Sequence, residues 1–248
     1  MNVRRRAIVT GAASGIGAAT LLVLARDGHE VVGLDIIEAG LNRTVHAALA
    51  LGGKHLGLCV DVADEAGVVA AFERAAAFLG SLHALATCAG VAESTPFMEL
   101  TAATFRRVHD VNVIGTFLCL REAARHMGNG ARMCTVASVA GLRGGGLMGT
   151  AAYASSKGAV LALTKNAARA LGARGISVNC VAPGPTLTPM LEPAWQDPEK
   201  RQRVEAMTVQ NRTAAPEEIA QSIAFLLSPA ASNVTGATLV SDGGLVMY

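Results

Sequence analysis

Short β-branched runs alternate with alanine-rich segments of helical period along the whole chain, and few folds accept that order. The runs fall at 6–10, 31–35, 55–62, 82–89, 132–138, 177–182 and 238–241, with helical periodicity at 15–27, 40–51, 65–79, 102–128, 152–173 and 216–227. Several runs are apolar at consecutive positions, which suits strands covered on both faces. Strand–helix alternation with right-handed crossovers predicts a doubly wound, Rossmann-type α/β fold: a seven-stranded parallel sheet with helices on both faces. With 51% hydrophobic and 16% charged residues, the chain has ample material for such a core. No linker, internal repeat or low-complexity segment appears, so residues 1–248 read as a single domain.

The alternation breaks at 183–212, which carries Pro183, Pro185, Pro189, Pro193 and Pro198. A long insertion at the carboxyl end of a strand is where an active-site lid sits, although a surface loop without function reads the same way.

The first run leads directly into Thr10-Gly11-Ala12-Ala13-Ser14-Gly15-Ile16-Gly17 and then a helix. In that context Gly11 permits a tight turn, Gly15 lets the backbone approach a pyrophosphate, and Gly17 allows close helix–strand packing. The helix N-terminus offers free N–H groups and the positive end of its dipole to phosphates. The spacing is G-x-x-x-G-x-G rather than G-x-G-x-x-G, and a merely structural turn stays open as the alternative.

Asp35 ends the second run, 18 residues past Gly17. A carboxylate there accepts hydrogen bonds from adenosine ribose hydroxyls and repels a 2′-phosphate; alternatively it caps a turn. Ile36, Ala12 and Ala13 supply no cation, so NAD is the expected cofactor. Asp61-Val62, closing the third run, would take the adenine amino group and ring, or simply cap the next helix.

Composition removes other partners. A formal net charge of +2, aromatics at 4% and no basic-aromatic run argue against nucleic acid. Arg4, Arg5 and Arg6 precede only Ala7, Ile8 and Val9 before Thr10 and Gly11, too short a segment for a secretion signal. No apolar run approaches the ~18 residues that span a bilayer. Cys59, Cys88, Cys119, Cys134 and Cys180 form no C-x-x-C pair and read as small buried hydrophobes in a reducing compartment. The expectation is a cytoplasmic protein without a membrane partner or metal.

Tyr153-Ala154-Ser155-Ser156-Lys157 opens a long helical segment, and i, i+4 spacing puts phenol and ammonium on one face. A neighbouring cation would lower the tyrosine pKa from its reference near ~10, preparing it to exchange protons with an alcohol or carbonyl. Ser138, at the end of the fifth run, would hydrogen-bond the same substrate oxygen. Such a tyrosine–lysine pair alone is most often a solvated helix face; joined to the glycine turn and the strand-end serine it is far more specific.

The order TGAASGIG, Asp35, Asp61-Val62, Ala89-Gly90, Asn112, Ser138, YASSK, Pro183-Gly184 and Ser241-Asp242-Gly243-Gly244 closely resembles the single-domain branch of the short-chain dehydrogenase/reductase family, over essentially the whole chain. The resemblance implies a catalytic tetrad of Asn112, Ser138, Tyr153 and Lys157. Tyr153 would be general acid/base, Ser138 would polarise the carbonyl, Lys157 would bind the nicotinamide ribose, and Asn112 would hold a proton-relaying water. It also implies cofactor contacts from Gly11, Ser14, Gly15, Ile16, Gly17, Asp35, Asp61, Val62, Ala89, Gly90, Tyr153, Lys157, Pro183, Gly184, Thr186 and Thr188. A homotetramer assembled through the helices at 102–128 and 152–173 is implied as well.

Two departures stand out. Cys88 replaces the family's usual asparagine before Ala89-Gly90. The interval from Ser138 to Tyr153 is slightly long and contains Gly144, Gly145 and Gly146, which predicts a mobile loop shaping its own pocket.

The implied reaction is hydride transfer between NAD(H) and a secondary alcohol or ketone, a small-molecule substrate. A 3-oxoacyl-thioester (acyl carrier protein) reductase is the alternative, but usually takes NADPH, which Asp35 disfavours. A non-catalytic nucleotide-binding protein on the same fold is a rival of another class, and the presence of Tyr153 and Lys157 argues against it. A sugar-nucleotide epimerase or dehydratase shares a similar turn and the tyrosine–lysine pair but normally carries an extra carboxyl-terminal substrate domain. Met190, Leu191, Trp195 and Met207 offer an apolar substrate wall, or core.

Overall fold

The computed structural model describes residues 5–145 and 150–247. Among them, seven strands form one parallel sheet in the order β3-β2-β1-β4-β5-β6-β7. These are β1 Arg6–Thr10, β2 Glu30–Asp35, β3 His55–Cys59, β4 Leu82–Thr87, β5 Met127–Val136, β6 Ser177–Pro183 and β7 Thr238–Ser241. Strand β1 shows why both faces are apolar: Ala7 and Val9 point to one core, Ile8 to the other. The first core is closed by α1 Gly15–Arg26, α2 Glu38–Leu49 and α10 Pro216–Leu227 through Leu21, Leu41 and Ile223. The second is closed by α3 Glu65–Leu79, α5 Gly115–His126 and α7 Ala151–Gly172, which bury Phe72, Leu118 and Ala168.

The predicted bounds of α3 and α10 coincide with the structure. Asp64 caps the first by accepting from the Ala66 N–H, and Gly80 ends it with a φ of 78°. The predicted helix at 102–128 is broken. It becomes α4 Ala102–His109, one π turn at Asp110–Ile114, and α5. The Thr116 hydroxyl donates to the Asn112 carbonyl across that wide turn (2.8 Å). Strand β5 starts earlier than predicted, pairing Met127 with Leu82 before a register shift brings Arg132 opposite Ala84. Gly130, with φ 83°, lies in the loop of backbone between.

The insertion after β6 is more regular than its prolines suggest. It carries α8 Glu192–Trp195 and α9 Pro198–Glu205, the latter capped by Asp197 with Pro198 as first residue. Its two ends meet, the Leu187 N–H donating to the Ala214 carbonyl and the Ala214 N–H to the Pro185 carbonyl (both 2.9 Å). The remaining helix, α6 Val139–Arg143, follows β5. Arg5 donates to the Leu227 carbonyl (2.7 Å) and Arg6 pairs with Glu30 (3.2 Å), both at the amino end of β1 and away from the glycine turn. Arg4 lies outside the described residues. Among the described residues no helix is long and apolar enough to cross a membrane.

Candidate active site

The strand order reverses between β1 and β4, and ligands of open α/β sheets bind in the crevice such a reversal leaves at the carboxyl ends. Here that crevice is a cleft of about 430 Å³, walled by Gly11, Ser14, Gly15, Ile16, Gly17, Asp35, Asp61, Val62, Ala89, Gly90 and Thr188. Gly11 and Gly15 adopt φ of 68° and 53°, where other residues are strained. A Cβ on Gly11 would lie 2.7 Å from the Ala89 nitrogen, and one on Gly17 would collide with the Gly11 carbonyl. Neighbouring loops are thus pressed together by missing side chains, and the backbone they expose can cradle a dinucleotide phosphate.

Asp35 is both a turn cap and a cleft wall. Its Oδ2 accepts from the Ala13 N–H and its Oδ1 from the Ile37 N–H (both 2.8 Å), so the carboxylate is held against the glycine loop with a lone pair left on each oxygen. Asp61 Oδ1 accepts from the Ala63 N–H (2.9 Å), a cap of the same kind. Cys88 lines the cleft, and burial pushes its thiol up to about 12, so it presents a neutral surface. The Ala89 N–H beside it donates to Thr10 Oγ1 (3.1 Å). Arg107 on α4 also lines the cleft; no local pattern in the sequence marks it.

A second cavity of about 150 Å³ adjoins the first, with Thr188 and Met190 belonging to both walls. Ser138 and Tyr153 stand on it, with Gly184, Thr186, Leu191 and Met207 opposite. Ser138 caps α6, its Oγ accepting from the Ala140 N–H (3.1 Å), which leaves its hydrogen free to donate. Trp195 takes no part in this wall: the Arg201 guanidinium sits 5.9 Å above its ring instead. Gly145 lines the cavity and Gly144 ends α6 at φ 79°, while Gly146 lies outside the described residues. Val204, Leu245 and Arg143 also line the wall, with no local pattern in the sequence marking them. Leu245 is delivered by Asp242, whose carboxylate accepts from the Gly244 and Val246 N–H groups (2.9 and 2.7 Å).

Asn112, Lys157 and Pro183 line neither cavity; they stand behind the walls. Asn112 is fully buried. Its Nδ2 donates to the Val91 carbonyl and Ser156 Oγ (both 2.9 Å), and its Oδ1 accepts from the Val91 N–H (2.8 Å), which ties the loop after β4 to α7. Lys157 is buried too, its Nζ donating to the Val136 carbonyl (2.9 Å) and lying 5.8 Å above the Tyr153 ring. A Cβ on Gly90 would come within 3.4 Å of that Nζ and 3.2 Å of Asn112 Oδ1.

The expected lowering of the tyrosine pKa is reversed in this structure. Burial raises the Tyr153 phenol, only partly offset by its hydrogen bond with Ser138. Lys157 itself falls to about 8 because burial disfavours its charge, and its ammonium faces the ring and a carbonyl rather than the phenol oxygen. The cysteine expectation is corrected at two positions: Cys59 is exposed and Cys88 is half-buried on the cleft wall, while Cys119, Cys134 and Cys180 are buried.

Residues 11–246 match the family model described as enoyl-(acyl carrier protein) reductase. The chain is 43% identical over 244 residues to cis-4-hydroxycyclohexanecarboxylate dehydrogenase of Sinomonas cyclohexanicum, covering 97% of this chain and 96% of that one. It is 35% identical to D-threitol dehydrogenase of Mycolicibacterium smegmatis, covering 96% and 91%. Its fold is similar to a crystal structure from Brucella melitensis titled short-chain dehydrogenase/reductase, glucose/ribitol dehydrogenase, with TM-score 0.91 and 30% identity over 98% of this chain and 97% of that one.

Proposed function

The chain belongs to the short-chain dehydrogenase/reductase family and is an oxidoreductase of alcohol-type substrates; on that premise we propose that it moves a hydride between NAD(H) and a secondary alcohol or ketone, with Tyr153 as general acid/base. One observation carries the reading: the Ser138–Tyr153 pair stands on a cavity that shares Thr188 and Met190 with the glycine-turn cleft. A nicotinamide dinucleotide, when bound, supplies the hydride acceptor or donor. The cleft fits one, because its glycine cradle is closed to Cβ atoms and Asp35 keeps a lone pair on each carboxylate oxygen that could accept from ribose hydroxyls.

Tyr153 takes the alcohol proton in oxidation and returns it in reduction. Ser138, its lone pair engaged by Ala140, donates to the same substrate oxygen. Lys157 keeps two of its three hydrogens beyond the Val136 bond, enough to hold a ribose hydroxyl. Asn112 has spent both N–H groups, so a relaying water would sit on its oxygen side; its main contribution is to hold the Val91 loop against α7. Gly11 to Gly17, Asp35, Asp61-Val62, Ala89-Gly90 and Gly184 to Thr188 would hold the cofactor, with Pro183 behind them, and 183–212 would form a lid on a single 1–248 domain. Exposed Ile114 and Phe117 give the α4–α5 face apolar surface that a homotetramer would cover. A cytoplasmic setting accompanies this reading.

A second reading is a 3-oxoacyl-thioester reductase, with which the family model's description shares only the acyl-carrier-protein thioester class, an enoyl standing in place of the 3-oxoacyl group. Asp35 and the small cavity weigh against it. The deciding experiment follows nicotinamide absorbance with NAD⁺ and NADP⁺ over a panel of alicyclic and acyclic secondary alcohols, and with a 3-oxoacyl thioester in reverse. Oxidation of none of the alcohols with either cofactor overturns the proposal.

A further inference from the structure

The cavity beside Tyr153 has one charged residue on its wall, Arg143. No Asp or Glu lines it, and Arg143 forms no ion pair with any Asp or Glu of the chain, all of which are described. Its backbone is held firmly. Ser138 caps the start of α6, Gly144 stops its end at φ 79°, and Gly141 packs so closely on α7 that a Cβ there would lie 2.6 Å from the Gly158 nitrogen. The Arg143 backbone therefore stands at a set separation from that of Ser138, five residues on, or about 7.5 Å of helical rise. The same wall carries the aliphatic Met190, Leu191 and Met207, beside Thr186 and Thr188. A cavity of about 150 Å³ with apolar walls is large enough for a six-membered carbon ring, since one of that size binds benzene.

We propose that Arg143 is a specificity-determining anchor for a carboxylate, and that the substrate is a small alicyclic hydroxy acid. Its hydroxyl would meet Ser138 and Tyr153, its ring the aliphatic wall, and its carboxylate the guanidinium. A single guanidinium matches a carboxylate's two oxygens in bidentate fashion. This rests on the secondary-alcohol reading above.

The test uses the full-length protein, its Arg143→Met and Arg143→Lys variants, and two probes, 4-hydroxycyclohexanecarboxylate and cyclohexanol. The kcat/KM ratio of acid to neutral alcohol should fall ~10–100-fold in Arg143→Met, the loss lying in KM, with partial recovery in Arg143→Lys. An unchanged ratio overturns the proposal. Calorimetric binding of cyclohexanecarboxylate separates this idea from the reading it rests on. If no alcohol is oxidised, the functional reading fails, yet acid binding that is lost in Arg143→Met still upholds the anchor. Equal binding by the wild type and Arg143→Met, or none by the wild type, sinks it.

Discussion

The two cavities are built from different parts of the chain. The dinucleotide cleft is shaped by backbone: Gly11, Gly15 and Gly17 bring loops to contact, and aspartates pin the turns. The substrate cavity is shaped by side chains from four separate stretches, around Ser138, Tyr153, the insertion and Leu245. A backbone cradle tolerates few residue types, whereas a side-chain wall accepts any group that fills the space. The cleft therefore speaks for a cofactor class, and the cavity for this chain's own substrate.

The division breaks most sharply at Tyr153. Tyr153→Phe removes one oxygen from the cavity and nothing from the cleft, so turnover should drop ~10²–10⁴-fold. NADH binding, followed by fluorescence, should persist. Turnover within a factor of two of wild type would contradict the acid/base assignment. The next test lies on the cleft side. A 2′-phosphate would place like charge beside Asp35, costing ~1 kcal/mol in water and more in a cleft, and would forfeit a hydrogen bond of similar worth. NAD should be preferred over NADP by at least ~100-fold in kcat/KM. Asp35→Ala with Ile36→Arg should erode that preference, and equal efficiency with NADP in the wild type would refute it. Asp35→Asn, which keeps an acceptor for one turn N–H, separates loss of charge from loss of the turn.

Smaller effects sharpen the boundary between the regions. Gly141→Ala would push a methyl against the α7 backbone at Lys157, moving Ser138 relative to Tyr153. Such overpacking costs ~1–3 kcal/mol, and we expect about a tenfold loss of turnover with cofactor affinity retained. Loss of NADH binding instead would show that α6 supports the cleft too.

The smallest effect is one of stability. Lys157 titrates at about 8 in the fold, below its ordinary 10.5, so between these values the unfolded chain binds more protons. The burial penalty is full below about pH 8, shrinks as pH rises, and is gone above about 10.5. Lys157→Met should accordingly raise Tm at pH 7 by ~2–4 °C, equivalent to about 1 kcal/mol after the Val136 carbonyl loses its donor. That gain should shrink as pH rises above about 8 and turn into a loss by about 10.5 by calorimetry, where only the missing Val136 bond counts; a lower Tm at pH 7 would mean the ammonium is better compensated than its single bond suggests.

Particular elements show how much was legible. The helices at 65–79 and 216–227 carry their signals locally, in Asp64, Gly80 and Pro216. The break in 102–128 had no such signal, because its π turn is tied to contacts Asn112 makes with Val91 and Ser156, 21 and 44 residues away. The Tyr153 pKa direction was misjudged for the same kind of reason: spacing puts Lys157 beside the ring, but burial and the Val136 carbonyl decide what its charge does. Trp195 carried an apolar label and a place in the insertion, yet its ring faces Arg201.

What the amino-acid order determined alone is the sheet, its glycine turn and the pairing of Tyr153 with Lys157, because strand period, helix period and the need for φ above zero act over a few neighbouring residues. Only the tertiary structure decided that Thr188 and Met190 join the two cavities, that Asp35 faces the glycine loop with both oxygens anchored, and that Arg143 stands as the lone charge on the substrate wall. Those outcomes depend on where distant segments pack and how far burial changes a charge, and neither is set by nearest neighbours in sequence.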